Sequence, residues 1–109
     1  MIIEYERRNQ LEELKENLEN LLGPHAFRML LFGSRARGDY TLESDVDVAI
    51  LVRGLTREMK HRILDQVAES ELEYLLPISA LVLSKDEFEH LKKRERRIAF
   101  DIEREGIAL

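Results

Sequence analysis

The stretch LLFGSRARGDYTLESDVDVAILV, residues 30–52, constrains this chain more than any other. Its two ends read as apolar strands. Between them lie a Gly-Ser turn and two aspartates in alternation, Asp45 and Asp47. Residues two apart on a strand point to the same face, so the two carboxylates project together while Val46 and Val48 turn the other way. Paired acids at a strand's start are hard oxygen ligands for a cation such as Mg²⁺. A Gly-Ser turn just upstream is suited to cradle phosphate through backbone N–H groups. Gly33 lets the backbone turn and approach a ligand closely. Arg35 and Arg37 can pair with phosphate oxygens, a bidentate task that Arg performs better than Lys, or else lie solvated on the loop. Asp39 is expected to brace the loop and Ser44 to steady the entry into the second strand.

The rest of the chain supplies a frame. Residues 3–22 carry Leu11, Leu14, Leu18, Leu21 and Leu22 at spacings of three and four, one face of a helix that Gly23-Pro24 ends. Residues 26–32 form a short apolar run, read as a buried strand, and residues 45–52 form the second strand. Thr56 is an N-cap candidate for a helix over about 57–75, with Met59, Ile63, Leu64, Val67, Leu72 and Leu75 as its apolar positions. Pro77 breaks it, and residues 78–83 make a third strand. Ser84 and Glu87 fit a capping box opening a helix through about Arg97, which the tail extends to Glu105. Gly106 then breaks the helix, and residues 107–109 dock as a last short strand. This order gives an α/β (α+β) domain, a small mixed β-sheet with flanking helices, with residues 1–109 forming one unit.

Composition narrows the function. Net charge is −5, so a nucleic-acid backbone is not a favoured partner. The basic run Lys92, Lys93, Arg94, Arg96 and Arg97 reads as a solvated helix face balanced by Glu87, Glu89 and Glu95. There is no cysteine, hence no disulfide or thiolate metal site. No apolar run approaches the roughly 20 residues of a membrane span, and the N-terminus lacks a signal-peptide pattern, so a cytoplasmic protein is expected. His25, His61 and His90 have no metal-ligand spacing and are expected at the surface.

Gly33-Ser34, ten intervening residues and Asp45-Val46-Asp47 match the Gly-Ser-x10-Asp-x-Asp signature of the nucleotidyltransferase superfamily related to DNA polymerase beta. The detail GSRARGD, the following SDVDVAILV and the small size resemble the minimal nucleotidyltransferase (MNT) branch, over nearly the whole chain. The resemblance implies a nucleotidyltransferase fold. It implies Gly33 and Ser34 at the triphosphate, with Arg35 or Arg37 beside them, and Asp45 and Asp47 as catalytic ligands of Mg²⁺. One departure stands out. Active members usually carry a third carboxylate on the later strand, as a metal ligand and base toward the attacking hydroxyl. Here that strand holds no acid, and Ser79 occupies the expected position; a serine hydroxyl is a weak Mg²⁺ ligand and no base near neutral pH. Glu73 and Asp86 flank the strand but lie at helix ends.

Two functions follow. The first is an enzyme that moves AMP from ATP, or another nucleoside monophosphate from its triphosphate, onto a hydroxyl. Chains resembling this branch are often encoded beside a HEPN-domain ribonuclease in toxin–antitoxin pairs, where the transferase silences its partner by adenylylating a tyrosine. The second is an antitoxin that binds nucleotide and Mg²⁺, or only its HEPN partner, and neutralises that partner by occlusion. Transfer to an aminoglycoside or to RNA is disfavoured, because the helical or RNA-binding domain each needs is missing. The acceptor, the nucleotide preference and any homo-oligomer are left open by the sequence.

Overall fold

The computed structural model describes residues 5–38, 41 and 45–109. Nine elements follow one another: α1 (Tyr5–Leu22), β1 (Phe27–Phe32), α2 (Ser34–Arg37), β2 (Val46–Val52), α3 (Arg57–Tyr74), β3 (Ile78–Ser84), α4 (Lys85–Lys93), α5 (Arg97–Glu105) and β4 (Ile107–Ala108). The four strands form one sheet in the order β3-β2-β1-β4. β1 pairs antiparallel with β2 and β4, while β2 and β3 run parallel with α3 as their crossover. The mixed sheet with helices expected from the sequence is therefore what the chain forms.

Strand alternation sorts the core into two layers. Val46, Val48, Ile50 and Val52 of β2 face α1 and α3, where they meet Leu11, Leu14, Leu18, Ile63 and Val67. Ala49 and Leu51 face the other way, onto Phe88 of α4 and Ala99 and Ile102 of α5. A central strand covered on both faces must be apolar at nearly every position, and from Val48 to Val52 it is. Asp47 is the exception. It shares the α4/α5 face with Ala49 and sits half-buried at the strand's entry.

Local signals end the elements as expected. Gly23 adopts a left-handed φ of 58° after α1, and its N–H bonds the Glu19 carbonyl at 3.0 Å. Thr56 Oγ1 accepts from the Met59 N–H at 3.1 Å, and Ser84 with Glu87 forms both bonds of a capping box. Two expectations need correction. The helix opened by Ser84 does not continue to Glu105: it stops at Lys93, and Glu95 takes a left-handed φ of 53° before α5 begins. Breaking the helix turns Phe88 and the pair Ala99 and Ile102 together onto one sheet face. On α3, Ile63 and Val67 are buried, but Leu72 is 76% exposed and Leu75, the left-handed residue that ends the helix, is 82% exposed, so helical spacing overstated its buried face.

A buried polar lock joins α1 to the entry of β3. Gln10 Nε2 donates to the Leu76 carbonyl at 2.9 Å, and an Arg7 guanidinium nitrogen donates to the Pro77 carbonyl at 2.6 Å. Arg7 and Gln10 are both buried, so these bonds satisfy groups that water does not reach. Glu71 takes the Ile78 N–H at 3.0 Å, closing the same turn. Tyr74 donates to Glu13 at 2.6 Å, and this bond to a carboxylate pushes the phenol up to about 12. Replacing Gln10→Leu leaves the Leu76 carbonyl without its donor. We expect a loss of about 1–3 kcal/mol in urea unfolding with an unchanged m-value; an unchanged midpoint would contradict the lock.

Candidate active site

The site is built on one rung of the sheet. In register, Phe32 of β1 faces Asp47 of β2, and Asp47 faces Ser79 of β3. Ser79 therefore stands beside Asp47 on the same face, and its hydroxyl donates a hydrogen bond to the Asp47 carboxylate. The position that the sequence comparison assigned to a missing third carboxylate is filled by this serine. Asp45, the other half of the pair, is exposed just ahead of β2 and close enough to act on Asp47 electrostatically.

Gly33 follows Phe32 and brings the backbone against Asp47. Its φ of 75° with ψ of −154° belongs to a region that only glycine occupies readily. A Cβ added there would overlap Asp47 Oδ2. Conformation and space both require glycine at this point. The chain then makes one short helical turn, α2, where the sequence suggested an open loop, and Gly38 ends it with a φ of 86°. Ser34 opens this turn and is half-buried.

The two arginines of the motif part company. Arg37 is on the surface and pairs with Glu105 of α5 at 3.0 Å, a contact across 68 residues. It also acts on Asp47, drawing its pKa down. Arg35 is turned inward and only 1% exposed, and it is engaged there. A buried guanidinium must be paired to be tolerated, so Arg35 braces α2 from within in this conformation. Its inward turn corrects the alternative of a solvated loop arginine, and nothing in the spacing distinguishes it from Arg37. Asp39 and Ser44 lie outside the described residues. Glu73 sits on α3 and interacts with Glu13, away from the rung. His25, His61 and His90 are all exposed.

The electrostatics of the rung suit a cation. Burial raises the Asp47 pKa above 3.8, the Ser79 hydrogen bond opposes that, Asp45 raises it further and Arg37 lowers it. The net direction is upward, so ionised Asp47 carries strain that a cation would relieve. Asp45 and Asp47 carry oxygen donors of the kind a divalent metal takes, and the Gly33 backbone packs against the Asp47 carboxylate with no side chain between them. Among the described residues no group of three or more His, Cys, Asp or Glu gathers at one point. The described donor set is thus two carboxylates, with a serine where a third would stand.

A carboxylate whose folded pKa is raised binds its proton more tightly when folded. Its contribution to stability therefore falls as pH rises from about the ordinary value of 3.8 through the higher folded value. Asp47→Asn removes that term, so the variant should melt higher than the parent at neutral pH and lose part of the acid-range slope. Millimolar Mg²⁺ should raise the melting temperature of the parent and not that of the variant. A variant that melts lower at neutral pH, or that gains as much from Mg²⁺, would contradict this account of the rung.

The model of the nucleotidyltransferase domain family matches residues 5–109. A protein of Methanocaldococcus jannaschii classed as a protein adenylyltransferase, MJ0141, is 40% identical over 76 residues, covering 69% of this chain and 77% of that one. A crystal structure from Sulfolobus solfataricus classed as a nucleotidyltransferase superposes with a TM-score of 0.53 at 21% identity, over 94% of this chain and 80% of that one. A toxin–antitoxin structure with AMP-PNP superposes with a TM-score of 0.53 at 18% identity, over 96% of this chain and 72% of that one. At those identities the two structures speak to fold. Enzymes of the matching family generally work with a divalent metal. No helix among the described residues is long and apolar enough to cross a membrane. The family match over residues 5–109 and the 40% identical relative make this chain a member of the nucleotidyltransferase domain family, an enzyme of the minimal type.

Proposed function

We propose that the chain transfers AMP from ATP to a hydroxyl carried by a partner protein, most simply a tyrosine of a HEPN-type toxin, and so acts as its antitoxin. The observation that carries this reading is the rung itself: Gly33 against Asp47, with Asp45 beside it and Ser79 in the place of the third acid. The relative classed as a protein adenylyltransferase supports AMP transfer to protein. The toxin–antitoxin structure with AMP-PNP supports an adenine nucleotide and a protein partner.

Asp45 and Asp47 would hold Mg²⁺, and their hard oxygens fit it. When bound, the ion would neutralise charge developing on the departing pyrophosphate. Ser34 and the backbone about Gly33 would position the terminal phosphates, with Arg37 available once phosphate competes with Glu105 for its guanidinium. Arg35 would act by holding α2 in place. Ser79 keeps Asp47 oriented through its hydrogen bond but cannot take the acceptor's proton. That proton would leave to water or to a group on the partner. Ser79 also gives specific weight to a second reading, in which the chain binds nucleotide and partner and neutralises the partner by occlusion.

The test is incubation of the chain and its co-expressed partner with ATP labelled at the α-phosphate, plus Mg²⁺. Transfer predicts label on the partner, reduced at least about 100-fold by Asp45→Asn or Asp47→Asn. Bound triphosphate with no label would leave only the occlusion reading. Undiminished labelling by both variants would overturn the assignment of the aspartates.

A further inference from the structure

At the end of the α4/α5 face away from Asp47, a cleft of about 390 Å³ opens between the start of β1, the end of β2, α4 and α5. Its floor is apolar, built from Leu30, Leu51, Phe88 and Ile102. Its rim carries Arg28, Arg53, Lys85 and Lys92 against Glu89 and Glu103. Lys92 already occupies both acids, reaching Glu103 at 3.0 Å and Glu89 at 3.5 Å. Arg28, Arg53 and Lys85 are exposed and have no ion pair or side-chain hydrogen bond among the described residues. Three cations with no partner among the described residues thus ring an apolar floor on a chain whose net charge is −5.

We propose that this cleft docks a segment of a partner protein in which carboxylates flank a bulky apolar side chain. The apolar side chain would fill the cleft and gain van der Waals contact with Leu30, Leu51 and Phe88, which the fold already keeps at 4%, 6% and 6% exposure. The carboxylates would meet Arg28 and Arg53, whose planar donors match them, while the Lys85 stem lies along the edge of the floor. A nucleic-acid backbone would satisfy the cations but has nothing apolar to place on the floor, and the acidic remainder of the chain repels it. Along β2, Asp47 and Leu51 are four residues apart, about 13 Å of strand. A segment docked here leaves the aspartate rung open. Docking is independent of the transfer reaction, so binding alone tests it.

The probe is a fluorescein-labelled peptide of roughly ten residues alternating glutamate and leucine, titrated with the full chain and read by anisotropy. We expect saturable binding that weakens between about 50 and 200 mM salt. The Arg28→Glu, Arg53→Glu double variant should bind at least about tenfold more weakly, while keeping the parent's melting curve because both positions are exposed. Asp45→Asn should bind as the parent does. An alanine-for-leucine peptide should lose the binding, which a purely electrostatic contact would not require. Equal binding by the double variant, no binding by the parent, or displacement of the peptide by an oligouridylate of equal charge would each overturn the proposal.

Discussion

The contact on which this structure depends is the approach of the Gly33 backbone to the Asp47 carboxylate. A side chain at residue 33 would overlap Oδ2, and a φ of 75° would strain it as well. Because Gly33 directly follows the last residue of β1, that approach ties the end of β1, the turn α2 and the entry of β2 into one unit. The sheet register then adds Ser79 from β3. The result is a compact acidic point at the entry of β2, a strand whose later residues Val48 to Val52 are buried. Burial and the neighbouring Asp45 raise the Asp47 pKa there, so its anion is held at a cost that a bound cation would relieve.

The third strand is held as deliberately as the first two. Ser79 lies two residues beyond Pro77, whose carbonyl is taken by Arg7, while Gln10 takes the Leu76 carbonyl. Both donors come from α1, so the first helix of the chain sets where the strand bearing Ser79 begins. The C-terminal segment reaches the site from the other side. Arg37 of α2 is paired with Glu105 at the end of α5, and Gly106 follows, where a Cβ would collide with the Ile102 carbonyl. β4 then adds to the free edge of β1. Elements distant in sequence thus converge on a motif that is local in sequence.

What was legible in the sequence was what local chemistry dictates. The apolar runs named the strands, Asp45 and Asp47 showed themselves by alternation, and Thr56 and Ser84 announced their helices because capping is a matter of three or four residues. What was not legible depends on packing between remote parts. Arg35 and Arg37 look alike in GSRARGD, yet one is buried and the other reaches Glu105. Arg7 and Gln10 are polar residues that nothing in the local sequence singles out, and contact with the turn before β3 makes them interior. The break between α4 and α5 has neither Gly nor Pro to mark it; Glu95 adopts the left-handed conformation because the sheet face pulls Phe88 and Ile102 together. Leu72 and Leu75 have helical spacing, yet no element among the described residues covers them.

Ser79 is where fold and chemistry meet most sharply, since the architecture keeps the position and changes the group. A centre with two carboxylates and a serine should hold one divalent ion with a bound triphosphate, and a restored third carboxylate should admit a second. The direct measurement is the number of Mn²⁺ ions bound in the presence of a non-hydrolysable ATP analogue, for the parent and for Ser79→Asp, with Asp47→Asn as the blank. One ion in the parent, two in Ser79→Asp and none in Asp47→Asn is the expected result. Two ions in the parent, or binding unchanged by Asp47→Asn, would contradict it.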